Sequence, residues 1–141
     1  MSSEYAQIKS QDELDELITN IIYEEDAYIH EIHSLTQIGT YSNPDVQMFI
    51  HTAHETHPVI ELIFVNCKML SVGFNSPLKI HGKVLHYNMT VEIYFSNTFS
   101  PYNPDLTARA LYYRYLDDDI NTRDHYGVAE ALKKVNISFD P

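Results

Sequence analysis

Histidine is the residue type in this chain that most suggests chemistry. Eight histidines occur among 141 residues, and His51, His54 and His57 lie three positions apart immediately before Pro58. Three imidazoles at such spacing could bind Zn²⁺ or Ni²⁺. A strand end followed by a short loop gives no fixed helical face, however, and the run is one residue short of the HExxH spacing of zinc proteases. We interpret it first as a polar hairpin tip, and keep a metal or small-ligand site, which could be enzymatic, as the alternative.

Two further histidines, His30 and His33, flank Glu31. Successive side chains of a β-strand point to opposite faces, so residues three apart lie on opposite faces of a regular strand. We therefore expect that these two imidazoles do not bind one ion together.

Other candidate chemistry is weaker. The acidic run 117–121 resembles the start of a calcium loop, but Thr122 stands at the glycine position and Val128 at the position of the bidentate glutamate. Cys67, the only cysteine, lies in the most apolar segment, where burial makes a thiol inert. No GxSxG or phosphate-binding glycine motif occurs. We expect no catalytic residue and no cofactor.

Charge is concentrated at one end of the chain. The net charge is −11, and the first 31 residues hold nine acidic residues and one basic residue, a net charge of −8. A field of this sign repels phosphate backbones and anionic lipid headgroups, and attracts basic proteins. We expect no binding to nucleic acid or membranes, and a basic protein as the partner.

These acids need an element to position them, and the sequence predicts a helix there. Ser10 and Glu13 form a capping box, and apolar residues follow at helical spacing. The helix should end at 23–26. Its outward face carries Asp12, Asp15 and Glu16, which we predict as the binding surface.

Most of the remaining chain predicts antiparallel strands. Residues 27–35 favour a strand with an irregularity over a prolonged helix, and residues 46–52 alternate. Residues 59–70 are dense in β-branched and aromatic side chains and predict a central strand buried on both faces. Hairpin strands are predicted over 78–81, 84–87 and 90–96, with a break at Gly82. Residues 106–116 favour a strand over a helix. A short helix over 128–134 and a last strand over 135–139 complete the prediction.

The resulting prediction is an α+β fold in one domain, 1–141. An N-terminal amphipathic helix packs on a mainly antiparallel sheet, and a short C-terminal helix follows.

Tyrosines concentrate in the last third, and Tyr112, Tyr113 and Tyr115 are candidate interface aromatics, because tyrosine is enriched at protein interfaces. A lone cysteine and the lack of a signal-like segment predict a cytoplasmic protein whose oligomeric state the sequence leaves open.

Residues 26–32 (DAYIHEI) and the later phrase VIELIFVNCKML resemble small cytosolic bacterial proteins that include immunity proteins of polymorphic toxin systems. The chain departs from their frequent pattern at Glu25, where those proteins often have histidine. The resemblance implies an α+β sheet domain that inhibits a cognate toxin stoichiometrically without catalysis. Together with the acidic helix, it predicts a non-catalytic protein-binding module of the immunity type.

Overall fold

The fold follows from a computed structural model, which describes residues 5–22, 27–35, 44–52, 58–70, 78–85, 90–95 and 104–116. These residues form one helix and nine strands. In chain order they are β1 (Ala6–Gln7), α1 (Gln11–Ile21), β2 (Tyr28–Leu35), β3 (Asp45–His51), β4 (Val59–Val65), β5 (Lys68–Met69), β6 (His81–Leu85), β7 (Thr90–Tyr94), β8 (Leu106–Ala108) and β9 (Ala110–Leu116).

The strands form two antiparallel sheets. The order is β1-β9-β4-β3-β2 in the five-stranded sheet and β5-β8-β7-β6 in the four-stranded sheet. A strand-rich, mainly antiparallel α+β architecture is therefore confirmed. The predicted segments 128–134 and 135–139 and the acidic run 117–121 lie outside the described residues. The main core joins both sheets to the buried side of α1.

The central strand is β4, as predicted, and every residue from Val59 to Val65 is buried. It ends five residues before the predicted limit, because the chain turns at Asn66, whose φ is 50°. The Asp45 carboxylate accepts a hydrogen bond from the Asn66 amide at 2.9 Å and so supports this conformation. The chain then continues in the other sheet as β5.

The strand β2 contains the expected irregularity. Its pairing with β3 shifts between Ile29 and Glu31, which leaves His30 as an additional residue on the β2 side. Such a bulge reverses the alternation of side chains. Both Ile29 and Ile32 therefore pack against the same core, although their spacing would separate them in a regular strand.

Both faces of β3 are covered, because Gln47 and Phe49 are buried as well as Val46, Met48 and Ile50. One expectation about the strands needs correction. Gly82 is not a break but lies within β6, opposite Ile93 of β7. The segment 106–116 is strand, as predicted, in two pieces on either side of Arg109.

The helix α1 begins after Ser10, whose hydroxyl accepts from the Glu13 amide at 3.2 Å. The Glu13 carboxylate in turn accepts from the Ser10 hydroxyl at 3.2 Å and from the Lys9 amide at 3.1 Å, which fixes the start of the helix. The helix ends at Ile21, before the predicted limit at 23–26. Leu14 and Leu17 are buried in the main core together with Ile21.

Close packing between α1 and β6 depends on Gly82. A Cβ atom at this position would lie 2.7 Å from Leu14 Cδ2 and 3.2 Å from Ile18 Cδ1. The Gln11 side chain completes the contact, because its amide donates to the Gly82 carbonyl at 3.0 Å and accepts from the Val84 amide at 2.9 Å. The Gln11 side chain thus hydrogen-bonds backbone groups at the unpaired edge of β6, which hinders pairing of that edge with another strand.

Candidate protein-binding surface

The predicted acidic residues all lie on the exposed side of α1. Asp12, Asp15 and Glu16 are exposed, and so is Glu13. The cause is the helical spacing of Leu14, Leu17 and Ile21, which turns that side of the helix into the core and the acids away from it. Asp12 and Glu13 also lie in the first helical turn, where the positive end of the helix dipole favours negative charge.

Two of the predicted tyrosines lie beside these acids. Tyr113 and Tyr115 are half-buried against the main core, and their rings meet edge to face with centroids 5.6 Å apart. The hydroxyl of Tyr115 accepts a hydrogen bond from Asn20 Nδ2 at 2.8 Å, which ties β9 to the helix.

Burial and the acidic residues of α1 shift the pKa values of both phenols. Burial raises the pKa of Tyr113 above its ordinary value, and the neighbouring Tyr115, Glu13 and Glu16 raise it further. Burial also raises the pKa of Tyr115, whereas the hydrogen bond from Asn20 lowers it and Glu16 raises it. Both phenols are therefore protonated near neutral pH.

The third predicted tyrosine is separated from the other two. Tyr112 pairs with Ile63 in β4 and with Gln7 in β1, so it points to the opposite face of the sheet from Tyr113. Burial raises its pKa. The structure therefore divides the predicted aromatic group, and brings only Tyr113 and Tyr115 to the helix.

We call Asp12, Glu13, Asp15, Glu16, Tyr113 and Tyr115 the acidic-tyrosine surface. Carboxylates on a capped helix bind ammonium and guanidinium groups, and tyrosine rings add flat area and cation–π attraction. Such a surface suits lysine or arginine side chains of another protein.

The histidine run is only partly described. His51 lies at the end of β3, where its ring stacks on Tyr28 with centroids 5.1 Å apart and planes 16° apart. His54 and His57 lie outside the described residues. Across the described ranges, no group of three histidine, cysteine or acidic side chains could hold a metal ion. The three-histidine site stays a prediction.

His30 and His33 do not lie on opposite faces, because β2 is not a regular strand. That the two imidazoles do not bind one ion together stays a prediction. The bulge in β2 brings both rings to the same carboxylate: His30 Nε2 lies 3.7 Å from Glu31 Oε1, and His33 Nε2 lies 2.9 Å from Glu31 Oε2. All three side chains are partly exposed. The arrangement pairs each imidazole with a different oxygen of one carboxylate.

Sequence reasoning missed a buried polar network in the five-stranded sheet. Glu61 of β4 is completely buried, and its carboxylate accepts from Arg114 Nε at 2.6 Å, Gln47 Nε2 at 2.7 Å and the Tyr5 hydroxyl at 2.7 Å. The Arg114 guanidinium also lies over the Tyr5 ring, 4.4 Å from its centroid. The available signal was the single acid in the apolar run VIELIFV, since a buried charge needs a partner.

Cys67 is buried, as expected. Burial raises the pKa of its thiol to about 12, and the nearby Asp45 carboxylate contributes to the increase. The thiol is therefore fully protonated near neutral pH and unsuited to nucleophilic attack.

Comparison with known proteins adds no family to these observations. No protein-family model, curated protein or solved structure matches the chain with significant similarity. Within the part of the chain that the structure describes, no helix is both long enough and apolar enough to span a lipid bilayer.

Proposed function

We propose that this chain is a non-catalytic protein-binding module, an immunity-type inhibitor that engages a basic protein through the acidic-tyrosine surface. The observation that carries the proposal is the exposed acidic side of α1 on a helix that also contacts the half-buried Tyr115, through Asn20 at 2.8 Å. Charge alone gives attraction over a distance, whereas aromatic area gives contact energy at short range. The two features together are typical of protein recognition.

The surface is also held in place before any partner arrives. Gln11 joins the first turn of α1 to β6, and Asn20 joins its last turn to Tyr115 of β9. Leu14 and Leu17 fix the buried side between these two points. A rigid surface loses little conformational entropy on binding, which favours affinity.

Stoichiometric inhibition suits this surface better than catalysis. A basic active site or nucleic-acid groove of a toxin is covered when a rigid acidic surface docks on it, and no covalent step is needed. The resemblance of residues 26–32 and 59–70 to immunity proteins supports the same function. A cytoplasmic location and the short helix over 128–134 belong to the proposal as well.

The test uses affinity capture from an extract of the source cells, followed by inhibition assays on the captured protein. The variant Asp12→Asn/Glu16→Gln removes two charges whose side chains make no structural hydrogen bond that we observe in the described region. Glu31→Gln/Glu92→Gln is the control matched for charge, since it removes the same charge from β2 and β7, where the two carboxylates contact His33 and Tyr94. Both proteins should keep the wild-type circular dichroism.

We expect wild type and control to retain a basic protein that is released by salt, and the helix variant to lose at least about 90% of it, which corresponds to roughly 1.4 kcal/mol. The captured protein should lose its activity at one equivalent of wild type. Retention of the same protein by the helix variant and the control would exclude the acidic-tyrosine surface as its binding site.

A further inference from the structure

Basic residues that are dispersed in the sequence gather on one face of the four-stranded sheet. Lys68, Thr107, Glu92 and Lys83 lie opposite one another in register and form one row across β5, β8, β7 and β6. Lys68 and Lys83 are exposed. Neighbours along the same strands, Val84 and Ala108, are buried, so the row lies on the outer face.

Two more basic residues extend this row. Lys79 is exposed between the buried residues Leu78 and Ile80, which gives it the same orientation as Lys83. Arg109 is exposed at the bend between β8 and β9, two positions after Thr107. We call the four basic residues the cationic sheet face: Lys68, Lys79, Lys83 and Arg109. They are four of the nine lysines and arginines in a chain of net charge −11. Glu92, which lies in the same row, offsets one of their charges.

The acidic side of α1 begins at the border of this face. Gln11 Nε2 donates both to the Asp15 carboxylate, at 2.9 Å, and to the carbonyl of Gly82, at 3.0 Å. Gly82 is the chain neighbour of Lys83. Two surfaces of opposite charge therefore adjoin along β6.

We infer that the partner of the cationic sheet face is the acidic side of α1 from a second copy of this chain. A surface with adjoining positive and negative areas is complementary to itself after a two-fold rotation, because the rotation places each area against the opposite one. A second copy is the partner that we infer because the acidic side of its helix is complementary in charge to the cationic sheet face. Gln11 occupies backbone groups of the β6 edge, so the copies meet through side chains and not through a shared sheet.

Ionic strength gives this association a distinctive signature. Two copies of net charge −11 repel each other over long distances, while the complementary areas attract at contact. At about 0.01 M salt the Debye length is about 30 Å and the whole-molecule repulsion acts, whereas at about 1 M it is about 3 Å and the local attraction is screened. Association should therefore be strongest near 0.1 M, where the Debye length is about 10 Å.

Sedimentation velocity of the full chain at these three salt concentrations tests the inference. The weight-average sedimentation coefficient should rise with protein concentration near 0.1 M, and rise less at both extremes. A monomer at all three salt concentrations, up to the highest soluble protein concentration, would overturn it.

Charge reversal on each surface provides the decisive measurement. Lys79→Glu/Lys83→Glu makes the sheet face acidic, and Asp12→Lys/Glu16→Lys makes the helix side basic. Each variant alone should associate at least about tenfold more weakly than wild type, because like charges then face each other. An equimolar mixture of the two should associate again, since every contact in the mixed dimer joins opposite charges.

The mixture also guards against misfolding, because a variant that fails to fold cannot be rescued by the other. A mixture that remains monomeric, or single variants that associate as wild type does, would overturn the inference. These measurements use the protein alone. Their failure leaves the capture of a basic partner unaffected, and a failed capture leaves self-association unaffected.

Discussion

Replacement of Arg114 by methionine should destabilise the protein strongly. The Glu61 carboxylate is completely buried, and Arg114 is the only positive charge that we observe on it within the described region. Removing one member of a buried ion pair leaves an uncompensated charge and costs about 3–5 kcal/mol. Small domains unfold with a total free energy of about 5–15 kcal/mol, so this loss is a large fraction of the stability.

A second substitution should then restore stability. Glu61→Gln in the Arg114→Met background removes the isolated charge, while its side-chain carbonyl can still accept from Tyr5 and Gln47. The remaining deficit should be that of an altered hydrogen bond, about 1 kcal/mol. The double variant is therefore expected to be more stable than Arg114→Met by about 2–4 kcal/mol.

Urea denaturation followed by far-ultraviolet circular dichroism measures these differences, since the chain has no tryptophan. Equal m-values would show that the variants expose the same amount of surface on unfolding as the wild type does. Lys79→Met is the control, because Lys79 is exposed and its loss should change stability by less than about 0.5 kcal/mol. A double variant no more stable than Arg114→Met would refute the assignment of the cost to a buried charge.

Three further substitutions or measurements test the packing. Gly82→Ala should cost about 1–3 kcal/mol in urea denaturation, because its methyl group would meet Leu14 at 2.7 Å, and a wild-type midpoint would contradict this contact. Gln11→Ala should abolish hydrogen-exchange protection of the Val84 amide, whereas Gln11→Glu should preserve it because it keeps the acceptor oxygen. Equal protection in both variants would contradict the hydrogen bond between Gln11 and the Val84 amide. Cys67, with its pKa raised to about 12 by burial, should react with Ellman's reagent at pH 8 only in urea, and rapid labelling of native protein would contradict its burial.

The helix and its acidic side were predictable because their determinants are local. The Ser10 cap, the apolar spacing from Leu14 onward and the outward acids are all set within two turns of helix. The central position of β4 was predictable for a similar reason, since a continuous apolar run needs neighbours on both faces. The end of β4 was not, because it depends on a contact between Asn66 and the distant Asp45.

The bulge in β2 was also predictable only in part. The positions of Ile29 and Ile32 predicted an irregularity, because both needed the core. Its effect on His30 and His33 was missed, since the two imidazoles converge on Glu31 only once the alternation is reversed at a particular residue. Pairing with β3 determines that residue.

By itself the sequence determined the sign of the charge, the helix that carries it and the strand-rich character of the fold, because composition, capping and periodicity act over a few residues. Tertiary structure alone decided which side chains meet. Strand register placed Tyr113 and Tyr115 beside the helix and Tyr112 away from it. It also paired Glu61 with Arg114 and aligned Lys68 with Lys83 across the four-stranded sheet, because pairing between distant strands depends on the whole fold.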